Sequence, residues 1–152
     1  MPDKETIERA EQDRREGKSA STQAGEFVRE EFHHIREGKH GARSPKQAIA
    51  IGLSKARRAG VPLPPPSGGK PGTRRKAAQD SRRGQTGSGR RPSAKRSRAT
   101  RQALKREGQS AASRSALARQ ARTAARRRSA GSRSASARRA AATRKRTSTR
   151  GR

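Results

Sequence analysis

The sequence predicts a mostly disordered chain that carries a small all-α helical hairpin near its N-terminus. Three observations lead there. Only 26% of the 152 residues are hydrophobic, with two Phe and no Trp or Tyr, while 35% are charged and the net charge is +29. A chain of that composition buries too little apolar surface to offset its ordering entropy. The charge is also segregated: residues 1–60 hold 13 Lys/Arg against 10 Asp/Glu, and residues 61–152 hold 28 Lys/Arg against Asp80 and Glu107 alone. Finally, just two segments, both before Gly60, combine a helix cap with an apolar stripe.

Residues 1–20 form a charged N-terminal extension. Within it "DKETIERAEQDRRE" has helix-forming composition but only Ile7 and Ala10 as apolar positions, so a marginal, solvated third helix or a frayed segment is expected. The hairpin occupies 21–60. In its first helix Ser21 or Thr22 can cap the start and Gly38 can close the end. Val28, Phe32 and Ile35 fall at helical spacing, with Ala24 one turn earlier and Phe27 beside them. In the second helix Ser44, Pro45 and Gln47 supply an N-cap, a proline at the first helical position and a capping-box partner. Ile49, Leu53 and Ala56 form its stripe, widened by Ala48 and Ile51, and Gly52 leaves room for another helix to approach. The predicted core and assembly face is therefore Phe27, Val28, Phe32, Ile35, Ala48, Ile49, Ile51, Leu53 and Ala56. A pair of helices this small is marginal alone, which points to self-association or a protein partner.

Residues 61–72, "VPLPPPSGGKPG", read as a Pro/Gly linker. Residues 73–152 read as a disordered Arg/Ala/Ser-rich basic tail with no fixed repeat period. Two Ala/Arg-rich windows, 110–130 and 135–147, have high helix propensity and should coil once phosphates neutralise them.

A basic block of this length points to a polyanion, and nucleic acid is the first candidate. The candidate contacts are Arg74, Arg75, Lys76, Arg82, Arg83, Arg90, Arg91, Lys95, Arg96, Arg98, Arg101, Lys105, Arg106, Arg126, Arg127, Arg128, Arg138, Arg139, Arg144, Lys145 and Arg146. Guanidinium groups fork two hydrogen bonds to a phosphate, an attraction that carries little sequence information. The tail has no aromatic residue on which single-stranded bases could stack. Duplex DNA is thus the leading partner, with RNA or polyphosphate behind it. Binding and compaction of DNA in the manner of a histone-like nucleoid protein is the expected function; an adaptor that docks a partner through the hairpin is the alternative.

Other chemistries find little support. The chain has no Cys, which removes disulfides, thiolate zinc sites and thiol catalysis. No nucleophile or acid–base constellation is recognisable, so no enzyme and no cofactor are expected. His33, His34 and His40 lie near Glu30, Glu31 and Glu37, and Glu30 and His34 share a helix face. Without a fixed third ligand these read as solvated helix residues, and no metal is expected. His33, Arg36, Lys39, His40 and Arg43 could alternatively gather near a phosphate. The first twenty residues contain no apolar run and no segment approaches a membrane span, so a cytoplasmic, nucleoid-associated protein is expected.

"PKQAIAIGLSKA" (45–56), preceded by "FVREEFHHIREGKHGARS" (27–44), resembles a small bacterial family of uncharacterised domains with a Lys-Gln-Ala-Ile-Ala-Ile-x-Leu-Ser-x-Ala helix. The resemblance rests on Gln47, Ala48, Ile49, Ala50, Ile51, Leu53, Ser54 and Ala56. It departs at His33–Gly38 and at the Lys55–Arg58 ending. Members carry plasmid-stabilisation or DNA-binding labels, so the resemblance implies DNA binding and no catalytic residues. The tail is similar in composition to bacterial linker-histone-like proteins.

Overall fold

The computed structural model describes residues 2–87 and 93–150, and of Thr143 and residues 146–150 the backbone alone. These residues form α1 (Lys4–Arg15), α2 (Ala20–Arg36), α3 (Pro45–Arg58), α4 (Pro71–Thr86), α5 (Ala94–Arg106), a 3-10 turn (Ser110–Ala112), α6 (Arg114–Arg126) and α7 (Ala130–Arg150), with no strand among them. The expectation of a mostly disordered chain with a two-helix hairpin is therefore overturned. The basic tail is largely helical, and α2 and α3 are enclosed by neighbours rather than standing as a hairpin. The chain divides into two compact units, Met1–Ala116 and Leu117–Arg152.

The helix ends explain much of the local order. Gly17 at φ +71° turns the chain out of α1. Ser19, two residues before the expected cap, then starts α2 by accepting the Thr22 N–H at 3.3 Å. Lys18 bridges this turn to Asp13 at 2.7 Å and to Glu16 at 2.8 Å. At α3 the Ser44 hydroxyl accepts the Gln47 N–H at 3.4 Å. The Gln47 side chain reaches back to the N–H of Arg43 at 2.8 Å, so the capping box closes one residue earlier than expected.

Packing in the first unit centres on α2 and α3. The buried line on α3 is Ala48, Gly52 and Ala56, at i, i+4, i+8. Phe27, Ile35, Ala48 and Ala56 are buried; Val28, Phe32, Ile49, Ile51 and Leu53 are half-buried. Small residues face α2 because the two backbones nearly touch: a Cβ on Gly52 would sit 2.7 Å from Val28 Cα. Two apolar clusters result. One joins Ala10, Ala24, Phe27, Ala56 and Val61, with Ile7, Ala20, Leu53 and Leu63 against it. The other joins Ile35, Ala42, Ala48, Ala111 and Ala112, with Phe32 against it. Residues assigned to the extension, the linker and the tail thus complete the core around α2 and α3.

The tail folds in the first unit because its few anchors are well placed. Its two acids both reach the N-terminal region. Asp80, 1% exposed, accepts the Ser54 hydroxyl at 2.6 Å and the Lys76 ammonium at 3.0 Å. Glu107 lies 3.5 Å from the Arg43 guanidinium. Beside it the N–H groups of Gly41 and Ala42 donate to the carbonyls of Leu104 and Gly108, at 2.9 and 3.2 Å. On α4, Gly84 abuts the Arg57 carbonyl, where any Cβ would overlap it. Alanine, small and a strong helix former, does the rest: among the described residues nine of the twelve buried hydrophobic ones are Ala.

Burial alone would raise the pKa of Asp80, but the Ser54 and Lys76 hydrogen bonds outweigh it and hold the carboxyl below its ordinary 3.8. A folded pKa below the unfolded one stabilises the fold above the unfolded value, and that contribution is lost as pH falls through the folded value. Asp80→Asn is expected to cost roughly 1.5–3 kcal/mol at neutral pH, the worth of a charged buried hydrogen bond. Urea melts of the two proteins should converge as pH drops well below 3.8.

In the second unit Ser129 caps α7, its hydroxyl accepting the Ser132 N–H at 3.2 Å. Arg133 Nη1 donates to the Arg128 carbonyl at 3.0 Å, and Arg128 Nη2 donates to that of Ser132 at 3.2 Å. Arginine here closes the turn as well as carrying charge. Both Ala/Arg-rich windows expected to coil only on a polyanion are helical, in α6 and α7.

Candidate nucleic-acid interface

Helix geometry sorts the cations of each element onto faces. On α4 the buried or half-buried positions Ala77, Asp80, Ser81 and Gly84 share one side. At about 100° per residue, Arg75, Arg82 and Arg83 fall opposite, within about 100° of arc, with half-buried Ala78 at its edge. Lys76 turns to Asp80, and Arg74 lies on the side of Ser81; all five cations are exposed. On α5 the half-buried Ser97 and Leu104 define the inner side. Lys95, Arg98, Lys105 and Arg106 lie within about 100° on the other, while Arg101 stands beside Ser97 and Arg96 lies apart. On α6, Arg119, Arg122 and Arg126 fall at i, i+3, i+7 and are exposed. Arg138, Arg139, Arg144 and Lys145 are exposed on α7 but spread around its circumference, and Arg127 and Arg128 sit exposed in the turn before it. Arg90 and Arg91 lie outside the described residues, as does the side chain of Arg146.

Doublets and triplets of basic residues drew the sequence reading to Arg126–Arg128. They hid Arg119 and Arg122, which are isolated in the sequence but complete the α6 stripe with Arg126. Helical spacing was the signal that could have found them.

The histidine segment does not gather around a phosphate site. His33 and Lys39 pair with Glu37, both at 3.0 Å. Arg36 Nε donates to the Ala112 carbonyl at 3.4 Å, and Arg43 faces Glu107. These groups point to protein partners instead.

Under them lies a polar network. Lys55 donates to Glu30 at 2.8 Å and lies against Glu31 Oε1. Burial would depress the Lys55 ammonium, but the two carboxylates outweigh it and raise its pKa. Glu30 also accepts the Asp3 N–H at 3.2 Å. Burial pushes its pKa up, while Lys55 and these hydrogen bonds pull it down further, below the ordinary value. His34 Nε2 sits 3.1 Å from Asp3 Oδ2, and His40 Nε2 3.5 Å from Glu31 Oε2. The third ligand that the sequence did not reveal is present: Glu31, His34 and His40 place one ligand atom each within 4.8 Å of one another. Glu31 and His40 were among the sequence candidates, but their grouping was not legible: "REEF" reads as a wet acidic pair, and the fold of the 37–43 loop brings His40 back over Glu31.

Among the described residues the protein is all-α, and on α4, α5 and α6 most cations share one exposed side of each helix. Residues 4–67 match a family of unknown function (DUF6496), which covers α1 to α3 and the proline-rich segment but not the basic helices. No curated protein and no solved structure matches the chain. No helix among the described residues is long and apolar enough to cross a membrane.

Proposed function

We propose that this protein binds duplex DNA without sequence preference and compacts it, as a histone-like, nucleoid-associated protein of the cytoplasm. The observation that carries this reading is the outward crowding of Arg and Lys on α4, α5 and α6, with only Asp80 and Glu107 as acids beyond residue 60. Both acids are turned toward the N-terminal helices. Ordered helices present guanidinium groups in rows along an axis, which suits the regular phosphates of a duplex better than the irregular backbone of a single strand. The absence of Trp and Tyr, with both Phe on α2, leaves no stacking platform on the basic helices. An adaptor would have to use what α1, α4 and the 3-10 turn leave of the α2–α3 pair, where Val28, Ile49 and Ile51 are half-buried.

Competition binding tests the proposal. Labelled duplex should be displaced equally by unlabelled duplexes of unrelated sequence, and less readily by single-stranded DNA or structured RNA of equal length. A strong preference for one duplex sequence, or for RNA, would refute it.

A further inference from the structure

We infer that Glu31, His34 and His40 form a binding site for a divalent transition ion of the zinc class. Glu31 is 1% exposed, and its Oε2 receives no hydrogen bond. What Oε2 faces, at 3.5 Å, is His40 Nε2. His40 Nδ1 lies 3.1 Å from the Gly41 carbonyl, which can only accept, and in the neutral tautomer that donates there Nε2 presents a lone pair to the carboxylate. Two electron-rich atoms facing each other in a buried place call for a cation between them.

His34 is set up in the same way. Its Nε2 faces Asp3 Oδ2, also an acceptor, at 3.1 Å, and in the neutral tautomer that donates there Nδ1, 3.9 Å from Glu30 Oε1, is the lone-pair nitrogen. Each imidazole thus spends one N–H on an oxygen and offers the other nitrogen, the arrangement typical of metal-ligating histidine with its outer partner in place. Glu31 and His34 are three residues apart on α2, so one helix face holds two ligands and the loop supplies the third. Two imidazoles and a carboxylate suit zinc, with one coordination position left open. Closest to the site, Glu30 and Glu31 share the ammonium of Lys55, while Lys39 acts on Asp3 and Glu30 from further off. A cleft of about 350 Å³, lined by Asp3, Glu30, His34 and also by Arg9, Arg29 and Lys39, reaches the site from solvent at His34. An ion here would pin the loop whose Gly41 and Ala42 hold the end of α5.

The test is calorimetric titration of the full chain with zinc chloride, followed by thermal melts and cobalt(II) absorption. One equivalent should bind, the melting temperature should climb with zinc concentration, and cobalt should show ligand-field bands of a site with nitrogen donors. His40→Gln and Glu31→Gln should each weaken binding on the order of 100-fold or more, at least matching the 10–100-fold typical of losing an outer partner. His33→Gln, which changes an exposed neighbour paired with Glu37, should leave binding unchanged. His40→Gln alters a half-buried loop residue, so it keeps the test meaningful if Glu31→Gln fails to fold. Absence of stoichiometric binding, or binding indifferent to both ligand variants, would overturn the assignment.

Discussion

Gly52→Ala is expected to destabilise the first unit by roughly 1–3 kcal/mol, the usual cost of overpacking, and Gly52→Leu to prevent it from folding. In an exposed helix interior, Gly→Ala gains about 1 kcal/mol from propensity. At Gly52 the added Cβ would meet Val28 Cα at 2.7 Å and Val28 N at 2.9 Å, and these are backbone atoms that cannot swing aside. Relief requires α2 and α3 to separate, which loosens both apolar clusters. Gly25 is the matched control: it lies within α2, exposed, with open space around its Cβ position. Gly25→Ala should therefore stabilise, by roughly 0.5–1 kcal/mol. Denaturant melts followed by circular dichroism give both signs in one experiment. If both substitutions stabilised, the close crossing of α2 and α3 would be wrong.

That crossing shows where the sequence was legible and where it was not. Ser44 and Pro45 announce the start of α3, and Gly52 among alanines hints at close approach. The face that packs was harder to read. Ile49, Leu53 and Ala56 make the more apolar stripe, yet the line beside α2 is Ala48, Gly52 and Ala56. Contact distance between backbones outweighed side-chain hydrophobicity.

The helices beyond residue 70 were illegible for a related reason. The hydrophobic fraction counts alanine but says nothing of where it packs; alanine both forms helix and packs closely, so Ala77, Ala111 and Ala112 anchor segments that composition assigns to disorder. Asp80 is one acid among many cations in the sequence. Its value becomes visible only when Ser54 of α3 and Lys76 of its own helix converge on it. The cationic character of the candidate interface needed no structure, whereas its division into faces and the pairing of Glu31 with His40 required the fold.

The proposed function makes salt the decisive variable. Each phosphate neutralised by Lys or Arg releases condensed counterions, so the logarithm of affinity falls linearly with the logarithm of salt, with a slope of about −0.9 per contact. In the first unit the exposed faces of α4 and α5 carry Arg75, Arg82, Arg83, Lys95, Arg98, Lys105 and Arg106, and in the second α6 carries Arg119, Arg122 and Arg126. With roughly 6–10 phosphates contacted, affinity should fall on the order of 10³–10⁵-fold between 50 and 200 mM salt. Base-specific or apolar recognition would leave a shallow dependence, because neither exchanges ions. The measurement is fluorescence anisotropy of the full chain with a labelled duplex across a sodium chloride series. A straight log–log line with a slope of about −5 or steeper is the predicted result; a slope near zero, with the duplex still held at high salt, would contradict binding through these arginine faces.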